Sequence, residues 1–407
     1  MIHSLNLVST FPYPPHSGRD VRVWSIYSHL SSRIHQTLLC RIFEPEDKLN
    51  LMHRGSENLH FENICIRRPG LFQKVIKGLS FLSKPYPLMA AGWYFYSMKR
   101  HLSDLLKVNT FDIINVETTW LGVYWPIIRK HKALKVLSLH NLEEELLWRE
   151  AKTLPVGVKK CIFLHDALKM YFFETRMINC FDMLFVTSER ERLKLLKRNP
   201  DLHIEVAPNG VDCDKIQKLP ISNNREILFV GAMNYLPNVD GVMFFVKEIL
   251  PLLRHKFTNI TFRVVGKSPS REIRKLNSQP GITITGEVDN LEPYYRHCAL
   301  CIVPLRSGGG TRLKVIEAMA YGRPVVSTSI GCEGIDVQHE KNILIADGPV
   351  EIFHAISRVL YQPNLVDFLV TNARSLVEEK YSWAKIADGM YEEYNRLITE
   401  RHQKKND

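Results

Sequence analysis

The sequence has no hydrophobic run long enough to cross a membrane. The longest apolar stretch among its 407 residues, 87–96, is about half the length that a membrane-spanning helix needs. A basic amino-terminal segment with a small-residue cleavage site is also missing, because residues 1–9 already have the pattern of a short strand. We therefore expect a cytoplasmic protein that is not integral to a membrane.

Paired cysteines and metal-binding spacings are equally scarce. The eight cysteines are scattered, and the one CxxC string, Cys298 to Cys301, lies in an apolar strand with no second pair after it. Asp212 and Asp214 form a DxD string, but they lie in a turn-rich linker and not at the end of an internal strand. We predict reduced thiols, no bound metal and no cofactor.

Acidic residues are too few to balance the basic ones, since 54 Lys and Arg face 43 Asp and Glu and leave a net charge of +11. Such a chain suits anionic partners. No basic stripe accompanies a nucleic-acid motif, so we expect no nucleic acid. Basic and aromatic residues alternate over 67–107, a mixture that suits contact with an anionic membrane surface and equally suits a solvated helical face over a core.

Short strand patterns alternate with helical ones along the whole chain, and many strands are continuous apolar runs, as in parallel sheets covered on both faces. The pattern predicts an α/β protein with two Rossmann-like domains. The expected boundaries are 1–208 for the first domain and 209–383 for the second, with a carboxyl-terminal helix at about 384–400 that packs back on the first. The predicted strands are 5–8, 36–40, 111–116, 134–139, 182–186, 204–207, 227–230, 261–265, 282–285, 300–303, 324–327 and 343–345.

The segment 300–320 carries the clearest chemistry. An apolar strand ends in Ser307 and three glycines, and a helix follows at once. Glycines let backbone amides approach an anion, and a helix start offers unpaired N–H groups. Cations at a helix start are normally unfavourable, so Arg312 and Lys314 make sense if a diphosphate neutralises them. Neither GxGxxG nor GxxxxGK[ST] occurs here, which argues against nicotinamide and P-loop sites. The alternative is a plain glycine turn before a core helix.

This segment resembles the donor-binding signature of glycosyltransferase family 4, whose members share the GT-B fold, in which two Rossmann-like domains have parallel sheets facing a central cleft. Segments 208–212, 229–240, 264–267, 285–289 and 324–334 resemble further family motifs, in order. One position departs from the pattern, because Gly309 stands where the family commonly has a glutamate. The resemblance implies that Arg312 and Lys314 act on the leaving diphosphate. It also implies a donor site that includes Gly231, Asn238, Val288, Gly308, Gly309, Gly310, Thr311 and Glu317.

In the first domain, two loops resemble family positions across from the donor. Gly18 belongs to a proline-rich loop after the first strand, and His140 and Asn141 follow a predicted strand end. The resemblance implies that His140 faces the transferred sugar as a catalytic residue and that Gly18 and Asn141 help to bind the donor. A structural turn and a packing histidine are the alternatives.

The resemblance implies a retaining glycosyltransferase of the hexosyl type that uses a nucleoside-diphosphate sugar and a glycan or lipid-linked acceptor, in surface polysaccharide or glycoconjugate synthesis. The partners expected are that donor, that acceptor and an anionic membrane at its inner face. Two other readings remain: a sugar-nucleotide 2-epimerase of the same fold, and a catalytically silent binding module.

Overall fold

The computed structural model describes residues 1–15, 17–42, 58–65, 80, 84–308 and 312–406. The chain forms two compact units. Unit 1 comprises Met1–Pro208 and Ile386–Asp407, and unit 2 comprises Asn209–Lys385. In the described part of the chain, no helix is long and apolar enough to cross a membrane.

Unit 1 is built on a seven-stranded sheet whose neighbouring strands all pair in parallel. Its strands are β1 (Ile2–Leu7), β2 (Ile34–Ile42), β3 (Leu59–Cys65), β4 (Ile113–Glu117), β5 (Leu134–Ser138), β6 (Met183–Val186) and β7 (Ile204–Val206). They lie in the order β3-β2-β1-β4-β5-β6-β7. Every residue of β4 and β6 is buried, which explains their continuous apolar sequences.

The sequence did not predict β3. Its residues alternate in polarity, and it pairs only with β2 at the edge of the sheet. A search for continuous apolar runs therefore passes over it, because such runs mark strands that are covered on both faces and flanked by neighbours.

Helices connect the strands of unit 1 and share its apolar core with the sheet. They are α1 (Gly18–Leu30), α2 (Tyr96–Val108), α3 (Trp125–Ile128), α4 (Glu143–Thr153), α5 (Val158–Ile178) and α6 (Glu189–Arg198), with 3-10 turns at Leu88–Gly92 and Thr119–Tyr124.

Unit 2 has a six-stranded parallel sheet in the order β10-β9-β8-β11-β12-β13, formed by β8 (Glu226–Val230), β9 (Thr261–Val265), β10 (Ile282–Gly286), β11 (Leu300–Val303), β12 (Val325–Ser327) and β13 (Leu344–Ile345). Its helices are α7 (Leu236–Phe244), α8 (Leu250–Lys256), α9 (Arg271–Lys275), α10 (Glu292–His297), α11 (Leu313–Ala320), α12 (Pro349–Tyr361) and α13 (Pro363–Lys380), with a π-helical segment at Phe245–Ile249 and a 3-10 turn at Leu276–Ser278.

The last helix, α14 (Trp383–Asn406), begins in unit 2 and continues in unit 1. Trp383 is buried, and its backbone N–H donates to Val211. Further along the helix, the Tyr394 ring meets Phe185 of β6 edge to face, with ring centroids 5.6 Å apart. The carboxyl-terminal helix is thereby part of the unit 1 core.

Each sheet has one point at which the chain reverses the direction in which it adds strands. In unit 1 this point lies between β1 and β4, and in unit 2 it lies between β8 and β11. Loops that leave neighbouring strands in opposite directions open a crevice at the carboxyl ends of those strands, and ligands of such sheets bind there. Gly18, Gly231 and Gly308 follow β1, β8 and β11, which are strands that flank these crevices. His140 follows β5, the neighbour of β4, and Val288 follows β10 at the edge of its sheet.

Candidate active site

In unit 2, the loop after β11 leads into α11 with a cation at the helix start. Arg312 is the N-cap residue of α11 and is 5% exposed. A guanidinium has no acceptor atom, so this N-cap side chain cannot satisfy the first amide groups of the helix. Those amides and the positive end of the helix dipole favour an anion at this place.

Lys314 lies in the first turn of α11 and points back toward the loop after β8. Its Nζ donates to Asn238 Oδ1 at 2.7 Å and lies 4.2 Å from the centroid of the Phe229 ring. Burial, and after it the charge of Arg312, lower the pKa of Lys314 to about 7. A bound anion would raise that pKa again, because an opposite charge favours the ammonium form.

Two of the predicted glycines permit the close approach of these groups. A Cβ on Gly231 would lie 2.7 Å from Lys314 Nζ and 2.8 Å from Asn238 Nδ2. Gly308 has a φ of +110°, and a Cβ there would lie 2.9 Å from Tyr235 Oη. A side chain at Gly231 would occupy the space next to Lys314, and one at Gly308 would occupy the space next to Tyr235 and Arg312.

Glu317 lies one turn further along α11, and Tyr295 Oη donates to its Oε2 at 3.0 Å. Burial raises the pKa of Glu317 to about 7, and the hydrogen bond from Tyr295 offsets only part of that effect. Tyr295 is fully buried and stacks on Tyr321 with ring centroids 4.5 Å apart. A carboxylate held in this way can accept hydrogen bonds from hydroxyl groups such as those of a ribose.

Unit 2 thus brings together five of the predicted residues, which are Gly231, Asn238, Gly308, Arg312 and Lys314. Val288 lies after β10 at the outer edge of the sheet and is partly buried against the core. The predictions for Gly309, Gly310 and Thr311 lie outside the described residues.

In unit 1, His140 follows β5 and is held by a carboxylate at the end of β4. Its Nε2 lies 2.5 Å from Glu117 Oε2. Burial lowers the pKa of His140 and outweighs the opposite effect of Glu117. At neutral pH the ring is therefore neutral, with the proton on Nε2 donated to Glu117 and Nδ1 left as the unprotonated nitrogen.

Glu117 itself is fully enclosed by donors. Its Oε1 accepts from Tyr27 Oη at 2.5 Å and from Asn115 Nδ2 at 2.8 Å. Burial alone would raise the pKa of Glu117, but the hydrogen bond and charge of His140, the charge of Arg22 and the hydrogen bond from Tyr27 outweigh burial and lower it to about 2. The carboxylate is therefore ionised at any physiological pH.

The backbone next to Glu117 is strained. Thr118 has a φ of 95°, a conformation that is rare for a β-branched residue and tends to occur where function requires it.

The other two residues predicted in unit 1 lie in loops and helix starts. Asn141 follows His140 and is partly buried, and Gly18 is the first residue of α1, after the N-cap Ser17. Arg19, which follows Gly18, contributes to the low pKa of His140 through its charge.

Two further buried carboxyl groups, Glu143 and Glu174, lie at the start of α4. Glu174 of α5 accepts hydrogen bonds from Thr119 Oγ1 at 3.0 Å and from the backbone N–H of Glu143 at 3.1 Å, so it caps the start of α4. Burial raises the pKa of Glu174 to about 8 and that of Glu143 to about 7. These groups titrate near neutrality, which is common at functional sites.

Glu117 and Tyr295 are two of the polar residues at these sites to which the sequence analysis gave no role. Glu117 closes an apolar strand, and a polar residue at a strand end is a usable signal of a site in a parallel sheet. Tyr295 lies in a short helix, and no sequence pattern relates it to Glu317, 22 residues away.

Among the described residues, one group of side chains has the geometry to hold a metal ion: His203, Glu205 and Glu393 of unit 1. The guanidinium of Arg396 already contacts His203 Nε2 at 3.0 Å and Glu393 Oε1 at 2.5 Å, and a cation there opposes a metal. His203 also precedes β7, so it lies at the amino-terminal end of a strand, whereas His140 follows the carboxyl end of β5. We assign no site to it.

The chain matches two family models in succession. Residues 49–215 match the model described as Glycosyltransferase Family 4, and residues 224–362 match the model described as Glycosyl transferases group 1. An uncharacterized glycosyltransferase of Methanocaldococcus jannaschii is 30% identical over 334 residues, which are 75% of this chain and 80% of that protein.

Solved structures agree with the fold. Sucrose-phosphate synthase from Thermosynechococcus elongatus is 17% identical with a TM-score of 0.72, and the similarity covers 98% of this chain and all of that one. Anabaena HepE, solved in complex with UDP and glucose, is 15% identical with a TM-score of 0.68, over 97% of this chain and all of that one. The GT-B fold expected from the sequence is confirmed. The chain belongs to glycosyltransferase family 4 and is a glycosyltransferase.

Proposed function

We propose that this glycosyltransferase is a retaining hexosyltransferase that moves a sugar from a nucleoside-diphosphate sugar to a glycan or lipid-linked acceptor, in the synthesis of a surface polysaccharide or glycoconjugate. One observation carries the proposal: Lys314, with a pKa lowered to about 7, beside Arg312 at the start of α11. Two cations held at a positive helix end disfavour each other in the empty protein, and a diphosphate relieves that repulsion.

The chemistry follows from the charge that develops during transfer. When the bond from the sugar C1 to the diphosphate oxygen breaks, negative charge grows on the leaving oxygen. Arg312, Lys314 and the amides at the start of α11 are in position before the reaction begins, and they stabilise that charge as it develops. Such preorganised electrostatic stabilisation is usually the largest single contribution to catalysis. Glu317 accepts hydrogen bonds from the ribose hydroxyls of the nucleotide.

His140 is proposed to orient a hydroxyl group of the transferred sugar. Glu117 fixes the ring with its protonated Nε2 toward the carboxylate, so that Nδ1 is the nitrogen that can accept a hydrogen bond. Attack on the same face from which the diphosphate leaves retains the configuration at C1, and the departing diphosphate takes the proton of the acceptor hydroxyl.

In this proposal, the negative charge on the leaving diphosphate is stabilised without a metal ion. The guanidinium of Arg312, the ammonium of Lys314 and the helix dipole supply the positive field that a divalent cation supplies in other transferases. The acceptor is proposed to bind to unit 1, and contact with an anionic membrane would bring a lipid-linked acceptor to it. The solved complex of HepE with UDP and glucose supports a nucleotide-sugar donor for this fold.

The test begins with thermal stabilisation of the full chain by UDP-, GDP- and ADP-sugars, since a ligand that binds the folded state raises the unfolding temperature. One donor should stabilise the protein selectively. Arg312→Ala and Lys314→Ala should abolish that stabilisation and lower turnover by roughly 100-fold. Lys341→Ala is the matched control, because Lys341 is exposed and precedes the edge strand β13. It therefore lies at the amino-terminal end of that strand, whereas the donor site follows the carboxyl ends of β8 and β11.

The same donor then separates the alternatives. A transferase releases nucleoside diphosphate only when an acceptor is present, whereas a 2-epimerase converts the donor sugar without an acceptor. A silent binding module is stabilised by the donor and does neither. Retention is read from the anomeric configuration of the product, and a product of inverted configuration contradicts that part of the proposal.

A further inference from the structure

Helix α5 carries an apolar stripe on the side that faces away from the core of unit 1. Val158, Ile162, His165, Lys169, Phe172 and Arg176 follow one another at intervals of four and three residues, so they lie along one face of the helix. Leu168 lies beside Phe172 on the same face. Phe172 is 64% exposed and Leu168 is 51% exposed. Large apolar side chains exposed side by side mark a contact surface.

The exposed Lys, Arg, His, Asp and Glu side chains of α5 are all basic. The helix contains only two acidic residues, Asp166 and Glu174, and both are fully buried. Asp166 accepts the backbone N–H groups of Leu88 and Met89 at 2.7 and 2.8 Å. The outer face of α5 therefore combines apolar side chains with the cations Lys169 and Arg176 and presents no carboxylate of its own.

The neighbouring segment extends this face. Lys169 Nζ donates to the backbone oxygen of Lys84 at 3.1 Å, and Met89 is exposed. Lys84 also lines a cavity of about 180 Å³ whose other walls include Lys99, Tyr94 and Tyr124. No carboxylate lines this cavity in the described part of the chain, so its two lysines make it suited to an anionic head group.

We propose that the α5 face, defined as Val158, Ile162, Leu168, Lys169, Phe172 and Arg176, docks on an anionic lipid bilayer, and that the adjoining cavity with Lys84 and Lys99 takes a lipid phosphate. An amphipathic helix in the plane of a membrane has this composition, with aromatic and aliphatic side chains among the acyl chains and basic ones at the head groups.

The positive charge of this face favours an anionic partner. A second copy of the chain would bring like charges together, whereas an anionic bilayer neutralises them. The inference rests on the membrane contact included in the proposed function and adds the α5 face to it. Of the basic and aromatic segment 67–107, the structure describes only Ser80 and 84–107. Lys84 and Lys99 lie in that segment, whereas the α5 face lies outside it.

The experiment is cosedimentation of the full chain with vesicles of phosphatidylcholine alone and with vesicles of phosphatidylcholine and phosphatidylglycerol in equal parts. We expect binding to the anionic vesicles that weakens at high salt. The pair of changes Leu168→Ser and Phe172→Ser should lower the partition coefficient by about tenfold or more. The pair Lys84→Ala and Lys99→Ala should lower it by roughly 25-fold, at about fivefold for each cation.

Phe368→Ser is the matched control, because Phe368 is 53% exposed on α13 of unit 2, and it should bind vesicles as the parent does. Thermal stabilisation by the donor is measured on every variant, so that loss of the fold or of the donor site is distinguished from loss of membrane docking. Equal binding to neutral and anionic vesicles, or unchanged binding by both pairs, overturns the proposal. A dimer in sedimentation velocity that Phe172→Ser dissociates also overturns it, because the face then joins two copies.

Discussion

The low pKa of Lys314 makes donor binding dependent on pH, and the sign of that dependence follows from the site. In the empty protein the pKa is about 7, mainly because burial disfavours the ammonium form. A diphosphate next to Nζ raises the pKa in the complex. Binding then requires a charged Lys314, so affinity is complete below the pKa of the empty protein and falls as the pH rises above it.

The magnitude follows from the fraction of empty protein that is already charged. With a pKa of about 7, about nine-tenths of the molecules carry the ammonium one pH unit below that value and about one-tenth one unit above it. The affinity should therefore fall about tenfold across these two units, or about 1.4 kcal/mol. The fall levels off once the pH passes the higher pKa of the complex.

The assay is isothermal titration with the stabilising nucleotide sugar from about pH 6 to about pH 8. A nucleotide sugar is preferable to the free nucleoside diphosphate, because its esterified diphosphate does not titrate in this range. Glu317 works in the opposite direction, since burial raises its pKa to about 7 and ribose hydroxyls prefer its ionised form. The informative quantity is therefore the ratio of affinities between the parent and Lys314→Met at each pH.

That ratio should fall about tenfold from the lower to the higher pH. Lys314→Arg is the matched control, because a guanidinium remains charged throughout and should remove the contribution of Lys314 to the pH dependence while it keeps part of the affinity. If Lys314→Met shows the same pH profile as the parent, the lysine does not bind the diphosphate and the donor site assigned to α11 is wrong.

Three further predictions concern the ionised carboxylate, the close-approach glycine and the metal. Glu117→Gln keeps the volume but removes the charge that fixes His140, so kcat should fall roughly 100-fold with little change in donor affinity; an unchanged kcat would show that the histidine needs no such orientation. Gly231→Ala puts a methyl group 2.7 Å from Lys314 Nζ and should weaken donor binding about tenfold, whereas Gly389→Ala, with open space around it, should leave binding unchanged. Turnover should survive EDTA. Strict dependence on added Mg²⁺ would contradict the proposal that side chains, and not a metal ion, stabilise the leaving diphosphate.

The sheets were predictable because of how parallel strands are covered. All twelve predicted strands are present. The clearest of them, β4, β6, β11 and β12, are buried along their whole length, and strands covered on both faces are mostly apolar. The same physics explains why β3 was not found, because an edge strand with one neighbour tolerates His60 and Glu62 at the surface. The loops after strands remain the predicted place of the site, because the topology of a parallel sheet sets where a crevice opens.

The chemical detail of the sites was less accessible, because it depends on pairs of residues that are distant in sequence. Glu117 meets His140 across 23 residues and Tyr27 across 90. Lys314 meets Asn238 across 76. A sequence shows that a charge exists but not whether it is buried, and burial is what moves the pKa of Lys314 down and that of Glu317 up.

The two units differ in how far their charged groups are already stabilised without a ligand. This difference predicts that donor binding and turnover respond differently to pH. In unit 1, Glu117 is already satisfied by His140, Tyr27 and Asn115, so the histidine is oriented before any substrate arrives. In unit 2, burial lowers the pKa of Lys314 to about 7, so near neutral pH the lysine is only partly charged until an anion lies beside it. Donor affinity should therefore titrate with Lys314, while the orientation of His140, fixed by a carboxylate with a pKa of about 2, should stay constant over the same range of pH.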